Sequence, residues 1–374
     1  MAEKVVWRSE QGERRGAWLS PVAAPPLRLG AADDRTTAAA ALGRVRRGEA
    51  LVYGGDFRNA RQLLAAMGRR LHGRSPGKPD PIALYRAERE RRRVEHEILG
   101  RVLVPVEEGL RIPLRHAPDV APALSEALGP DPALPGLLPL RDLLGMIGAH
   151  EWRRKGVEVP ALGARIHPHY GVYAPVRGEY VDLVAAAAAE WKVLGKRAVE
   201  VGTGTGVLAF VLARAGAQVV ATDVEVAAVA CARDNAARLG LADRVEIVEA
   251  DLFPPGDLRA ELVVSNPPWL PGAAHTPLER AVYDPGGAFL ERLVHAMPER
   301  LAPGGEAWIV ISDLAELLGL RPAGHLEALA SRAGLRVADV REARPSHPRA
   351  ADRADPLHAF RAREVTRLFR LRSS

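Results

Sequence analysis

The tetrapeptide Asn266-Pro267-Pro268-Trp269 directly follows the apolar run Leu262-Val263-Val264-Ser265, which has the pattern of a buried strand. Each proline fixes its own φ and drives the residue before it into an extended conformation, so the segment is stiff and its carbonyls point in set directions. The Asn266 side-chain oxygen and the Pro267 backbone oxygen are two acceptors able to take both hydrogens of an –NH2 group. Trp269 offers a flat wall for the planar group carrying that nitrogen. Such a nitrogen has its lone pair delocalised into a π system and is a poor nucleophile. Accepting both N–H bonds pushes electron density back onto it. Catalysis then comes from orientation and from dipoles that favour developing positive charge. Asn266, Pro267, Pro268 and Trp269 are therefore the candidate catalytic residues for chemistry on a planar nitrogen, with Trp269 also contacting substrate.

Upstream, Arg197–Val201 runs into Glu200-Val201-Gly202-Thr203-Gly204-Thr205-Gly206 and then a helical pattern. Glycines at a strand end let the backbone pass close to a ligand. The spacing G-x-G-x-G, with an acid two residues ahead of the first glycine, differs from the G-x-G-x-x-G of dinucleotide sites and favours S-adenosylmethionine (SAM) over NAD. Glu200, Gly202, Thr203, Gly204 and Gly206 are the candidate cofactor contacts. The next apolar run ends in Thr222-Asp223. A carboxylate there suits a ribose diol, with an ordinary helix N-cap as the competing role. The third run leads to Glu249-Ala250-Asp251-Leu252-Phe253, where Asp251 suits the adenine amine and Leu252 and Phe253 lie near the ring. The segment His167–Glu179 precedes the first strand and is expected to fold over the cofactor, with Tyr173 and Arg177 reaching cofactor or substrate. A plain linker is the competing reading. His167 and His169 lack a third ligand nearby, so no metal is expected.

These residues need a scaffold. From Arg197 onward short apolar runs alternate with helical ones: strands at Arg197–Val201, Gln218–Thr222, Arg244–Val248, Glu261–Ser265, Glu306–Ser312 and Leu335–Val340, and helices at Gly206–Ala215, Val226–Leu239, Ala288–Leu301 and Leu314–Ala333, the last broken at Pro322. This predicts an α/β fold, a parallel sheet with helices on both faces. Val365–Leu371 is expected as a final antiparallel edge strand. Residues 1–30 read as irregular. After them come a helix from Arg35 to Gly48, one short strand at Ala50–Tyr53, a helix over Phe57–Leu71 capped by Asp56, a loop at Ser75–Pro81 and a long charged helix from Ile82 to about Leu103. The run Glu88–Arg93 reads as that helix's solvated face. Helices at Ala121–Leu128 and Leu140–Ala149 follow. Two domains are expected: 1–160, mainly helical and a candidate for substrate recognition, and 161–374, which carries the site.

The chain has 374 residues, 47% apolar and 26% charged, as in ordinary globular domains. Its only cysteine, Cys231, sits in an alanine-rich helical pattern and reads as a small buried hydrophobe, so no disulfide is expected. No apolar run reaches membrane-spanning length and the N-terminus shows no secretion signal, which points to the cytoplasm. The net charge of +6 permits contact with RNA or an acidic protein surface but requires neither.

The stretch from about Tyr170 to Ser312 resembles class I SAM-dependent methyltransferases of the small-domain type, and most of all the release-factor glutamine methyltransferases. The resemblance is carried by EVGTGTG at Glu200–Gly206, TD at Thr222–Asp223, RDNAARLGLADRVEIVEADLF at Arg233–Phe253, SNPPWLPG at Ser265–Gly272 and LAPGGEAWIVIS at Leu301–Ser312. It implies a seven-stranded, mostly parallel Rossmann-like sheet with one antiparallel strand. It also implies a SAM pocket at Glu200–Gly206, Asp223 and Asp251, and substrate capture by Asn266–Trp269. The chain departs from that family in carrying Trp269 where Tyr or Phe is usual, in reading APVRGE before the first strand, in a longer N-terminal region and in an unmatched tail, Arg341–Ser374. The departures bear on the substrate. A glutamine side-chain amide of a protein or peptide leads. An exocyclic amine of adenine or guanine in ribosomal or transfer RNA is second, an inactive SAM-binding protein third, and a dehydrogenase fourth.

Overall fold

In a computed structural model of the chain, residues 3–9, 12–71, 80–345 and 352–374 are described. Most of the expected Ser75–Pro81 loop, residues 75–79, lies outside them, as do residues 346–351 of the tail. The chain divides into two compact units, Met1–Pro79 with Arg86–Glu151, and Asp80–Tyr85 with Trp152–Ser374. The break thus falls at Glu151/Trp152, ahead of the expected residue 160.

The first unit is built on a six-stranded sheet, β1 (Lys4–Ser9), β2 (Gly12–Trp18), β3 (Leu29–Ala32), β4 (Ala50–Tyr53), β5 (Val102–Val106) and β6 (Gly136–Pro139), in the order β1-β2-β6-β5-β4-β3. Around it run α1 (Ala38–Arg46), α2 (Phe57–Leu71), α3 (Pro81–Leu99), α4 (Ala121–Leu128) and α5 (Leu140–Lys155), of which α3 and α5 extend across the division. The mainly helical expectation omitted this sheet. The helices stand where the periodicity put them, but only β4 among the six strands was legible. β1 and β2 bury Val5, Trp7, Ala17 and Trp18 while carrying charged residues between them, so a region that read as irregular is a half-buried hairpin. β5 and β6 are short apolar runs, VLVPV and GLLP, abutting helical patterns, and periodicity alone cannot separate such runs from helix. The Glu88–Arg93 run is only partly solvated: Glu88 is buried and bonds Arg91 and Arg92.

In the second unit, β7 (Val157–Val159) and β8 (Ala164–Ile166) form a small hairpin. Then come α6 (Glu179–Trp191), β9 (Arg197–Val201), α7 (Val207–Arg214), β10 (Gln218–Asp223), α8 (Val226–Arg238), β11 (Val245–Glu249), β12 (Ala260–Ser265), β13 (Leu270–Pro271), α9 (Pro277–Arg280), β14 (Tyr283–Asp284), α10 (Ala288–Arg300), β15 (Leu301–Ser312), α11 (Leu314–Leu317), α12 (His325–Arg332), β16 (Leu335–Ala343), α13 (His358–Arg361) and β17 (Thr366–Ser373). The main sheet has seven strands in the order β11-β10-β9-β12-β15-β17-β16. Its first five strands are parallel, and β17 is antiparallel to both neighbours.

Alternation along the strands builds two cores. Ala198, Leu262 and Val264 face α6, α7 and α8, whereas Val199, Val201 and Val263 face α10 and α12. Buried Cys231 belongs to neither, packing with Val172 and Ala228. β17 is antiparallel as expected, yet it lies inside the sheet rather than at its edge, with Leu368, Phe369 and Leu371 buried. The helix expected over Leu314–Ala333 with a break at Pro322 is two short helices, α11 and α12, with Pro322 between them. Among the described residues no helix is long and apolar enough to cross a membrane.

Candidate active site

Strand register brings the predicted residues together. Thr222 of β10 pairs with Val201 of β9, and Val201 pairs with Ser265 of β12. The residues that follow, Asp223, Gly202 and Asn266, therefore leave three adjacent strands at one level, along the C-terminal edge where open parallel sheets bind ligands. The Ser265 hydroxyl donates to the Val201 carbonyl at 2.8 Å, and the Gly202 and Thr203 N–H groups both donate to the Thr222 carbonyl at 2.9 Å.

The glycine turn is left-handed at Gly202 (φ 75°), Gly204 (φ 55°) and Gly206 (φ 89°), a region side chains rarely adopt. The three do different work. A Cβ on Gly206 would stand 2.3 Å from the Phe210 ring, so that glycine serves helix packing. A Cβ on Gly204 would meet nothing within 4 Å, leaving an open cradle over the turn. Asp223 sits beside it: Oδ2 accepts the Gly204 N–H at 2.9 Å and Oδ1 accepts the Glu225 N–H at 3.0 Å. Burial raises its carboxyl above the ordinary range, against the two N–H donors that lower it. Each oxygen keeps a further lone pair. An open glycine cradle flanked by a paired-oxygen acceptor fits the adenosyl part of SAM.

Glu200 also holds the turn itself. It is buried, and its Oε2 accepts from Thr203 Oγ1 at 2.5 Å and from the Ala209 N–H at 3.0 Å. Burial pushes its carboxyl up to about 8. Glu200 and Thr203 thus brace the turn through Glu200 Oε2. Asp251 is exposed and paired with Arg292 at 2.5 Å. Leu252 is buried with φ 66°, and its carbonyl accepts from the Thr222 hydroxyl.

At the end of β12, Pro267 is buried while Asn266, Pro268 and Trp269 are half-buried. The Trp269 Nε1–H donates to Asn266 Oδ1 at 2.8 Å. The Arg177 guanidinium lies 4.8 Å from the Trp269 ring centroid. Its donors are taken by Glu179 (2.7 Å), Glu364 (3.0 Å) and Thr366 (3.3 Å). Burial opposes its charge, but Glu364 and Glu179 outweigh burial. These contacts use one donor on each of its three nitrogens and set the guanidinium against Trp269. Tyr173 is exposed. His169 Nε2 lies 3.2 Å from Asp234, and the His167 N–H donates to Asn235 on α8 at 2.8 Å. The sequence reading missed Ser312, Glu364 and Thr366. They lie far along the chain, and nothing in their spacing points to Arg177.

Residues 182–322 match the family model of the methyltransferase small domain. The release factor glutamine methyltransferase of Geobacter sulfurreducens is 38% identical over 149 residues, 36% of this chain and 49% of that one. The ribosomal RNA small subunit methyltransferase C of Alcanivorax borkumensis is 34% identical over 142 residues, 37% of this chain and 40% of that one. A solved SAM-dependent methyltransferase of Geobacter sulfurreducens, in complex with S-adenosyl-L-homocysteine, is similar at 19% identity over 58% of this chain and 99% of that chain, with a TM-score of 0.36. The chain spans about half the length of the curated relatives it matches.

Proposed function

We propose that the chain is a SAM-dependent N-methyltransferase whose acceptor is the side-chain amide of a protein glutamine. The observation that carries this reading is the alignment of Gly202, Asp223 and Asn266 on three neighbouring strand ends, cofactor cradle and amide acceptors side by side. In this reading Gly202 and Gly204 let the cofactor lie against the backbone, Asp223 holds its ribose hydroxyls, and Asp251 and Leu252 flank its base. Glu200, Thr203 and Gly206 shape the turn. Bound SAM supplies a methyl group on a positively charged sulfur.

The remaining work belongs to the Asn266–Trp269 segment. The Asn266 oxygen has two lone pairs and spends one on Trp269. The other, with the Pro267 carbonyl, accepts the two N–H bonds of the amide and turns its lone pair toward the methyl. The Trp269 ring holds the amide plane. Both acceptors also favour the positive charge that develops on nitrogen. The first unit is assigned to macromolecular substrate recognition, and the work is placed in the cytoplasm.

The similarity to release factor glutamine methyltransferases favours a protein acceptor, and that to an rRNA methyltransferase keeps a nucleobase amine as the second reading. A tritium-transfer assay decides between them. Protein and labelled SAM are incubated with lysate of a strain lacking the chain, and label is divided between protein and RNA. Label in protein, released as methylglutamine on exhaustive proteolysis, is expected. Label confined to RNA overturns the glutamine reading in favour of the nucleobase amine.

A further inference from the structure

We infer that Glu364, in the tail unmatched by the family resemblance, is a positioning residue that acts on Asn266 through Arg177 and Trp269. The inference rests on the reading of Asn266 as the group that holds the acceptor nitrogen.

The chain of contacts is continuous. Glu364 is 2% exposed and immediately precedes the stretch leading into β17. Its Oε1 accepts from Arg177 Nη1 at 3.0 Å and from the Ser312 hydroxyl at 2.6 Å. Arg177 is gripped on its other edges by Glu179 and by the buried Thr366, and its flat guanidinium stacks over Trp269. Trp269 in turn donates to Asn266 Oδ1.

The last contact matters for amide chemistry. The terminal torsion of asparagine is soft, and a half-turn swaps its carbonyl oxygen for its –NH2 group. Flipped, Asn266 would present donors to the substrate's own N–H donors and repel it. The Trp269 N–H pins the oxygen on one side, which Phe cannot do. An indole on a short loop needs holding in its own right, and the charged plane of Arg177 does that. Arg177 is held because two buried carboxylates and a hydroxyl engage one donor on each of its three nitrogens. The position of β17 inside the sheet places Glu364 there, 187 residues from Arg177 in sequence.

The test reads the indole directly. The 15N-labelled Trp269 Nε1–H resonance, assigned by its loss in Trp269→Phe, is expected to exchange slowly with solvent. Glu364→Ala is expected to speed that exchange, and to lower kcat for methyl transfer to the lysate acceptor, each by about tenfold or more, with the SAM Kd held within about twofold. Glu364→Gln is expected to restore most of both, since its amide oxygen still accepts from Arg177. Thr366→Val removes another Arg177 partner without touching a charge and is expected to produce the same pair of changes at smaller size, so a poorly folded Glu364→Ala does not decide the matter. In a Trp269→Phe background Glu364→Ala is expected to cost little further turnover. Unchanged exchange, faster exchange with unchanged kcat, or full additivity with Trp269→Phe overturns the inference. If the wild-type chain transfers methyl to nothing in the lysate, the functional reading fails, and the Glu364–Trp269 link stands or falls on exchange alone.

Discussion

The carboxylate of Asp223 and the backbone N–H of Gly204 are joined by a 2.9 Å hydrogen bond, which ties the end of β10 to the middle of the glycine turn. One side chain thereby both shapes the turn and borders its open side.

Asp223→Ala is expected to weaken SAM binding by about 1–3 kcal/mol, roughly 5- to 150-fold in Kd, through loss of a charged acceptor. Asn266→Ala is expected to leave the SAM Kd nearly unchanged and to abolish most turnover. Calorimetric titration of both variants with SAM, beside initial rates, checks the division of roles. Equal loss of affinity in the two would contradict it.

Gly204→Ala and Gly206→Ala separate cradle from packing. At Gly204 the new methyl meets no atom within 4 Å, so only left-handed strain, about 1–2 kcal/mol, is lost from stability while SAM binding is obstructed. At Gly206 the methyl would lie 2.3 Å from Phe210, so folding suffers more than at Gly204. Urea unfolding of the apoproteins ranks the two. A Gly206→Ala protein as stable as Gly204→Ala would refute the assignment.

Glu200 makes stability depend on pH. Its folded carboxyl titrates near 8 against an ordinary value of 4.5, because burial disfavours the charge. Above 4.5 the unfolded chain releases this proton while the folded chain keeps it, so the contribution of Glu200 falls as pH rises toward 8. Glu200→Gln, neutral throughout, is expected to flatten that fall. Thermal melts of both proteins across this range test it: parallel curves for the two would show that Glu200 ionises freely when folded.

Glu306 acts in the opposite sense. Burial would raise its carboxyl, but hydrogen bonds from Arg370, Trp308 and Arg372 outweigh burial and lower it. Its contribution is present at neutral pH and is lost as pH falls below 4.5. Glu306→Ala leaves the nearly buried Arg370 with the longer Asp339 pair at 3.6 Å and is expected to cost about 3 kcal/mol, measured by denaturant unfolding at neutral pH. A loss below about 1 kcal/mol would mean the cluster behaves as a solvent-exposed pair.

The parallel β9-to-β15 frame was legible because short apolar runs alternate with helical ones, and Asn266-Pro267-Pro268-Trp269 was legible because two prolines stiffen a strand end. The first unit was misread for the reverse reason. β5 and β6 are too short to show a period, and β1 and β2 carry charges on their solvated faces. At the candidate site the residue types of Glu200 and Arg177 were visible, but where their side chains point was not.

By itself, the order of residues determined which groups stand next to one another along the chain: glycines at a strand end, an acid at the next, an amide and an indole at a third. Those are local properties, set by torsions and spacing. Tertiary structure alone decided that Glu200 is buried and bonded to Thr203 and Ala209, that β17 enters the sheet between β15 and β16, and that Glu364 reaches Arg177. Each depends on which distant segments pack together, and burial, once fixed by that packing, determines whether a charged side chain meets a ligand or another part of the protein.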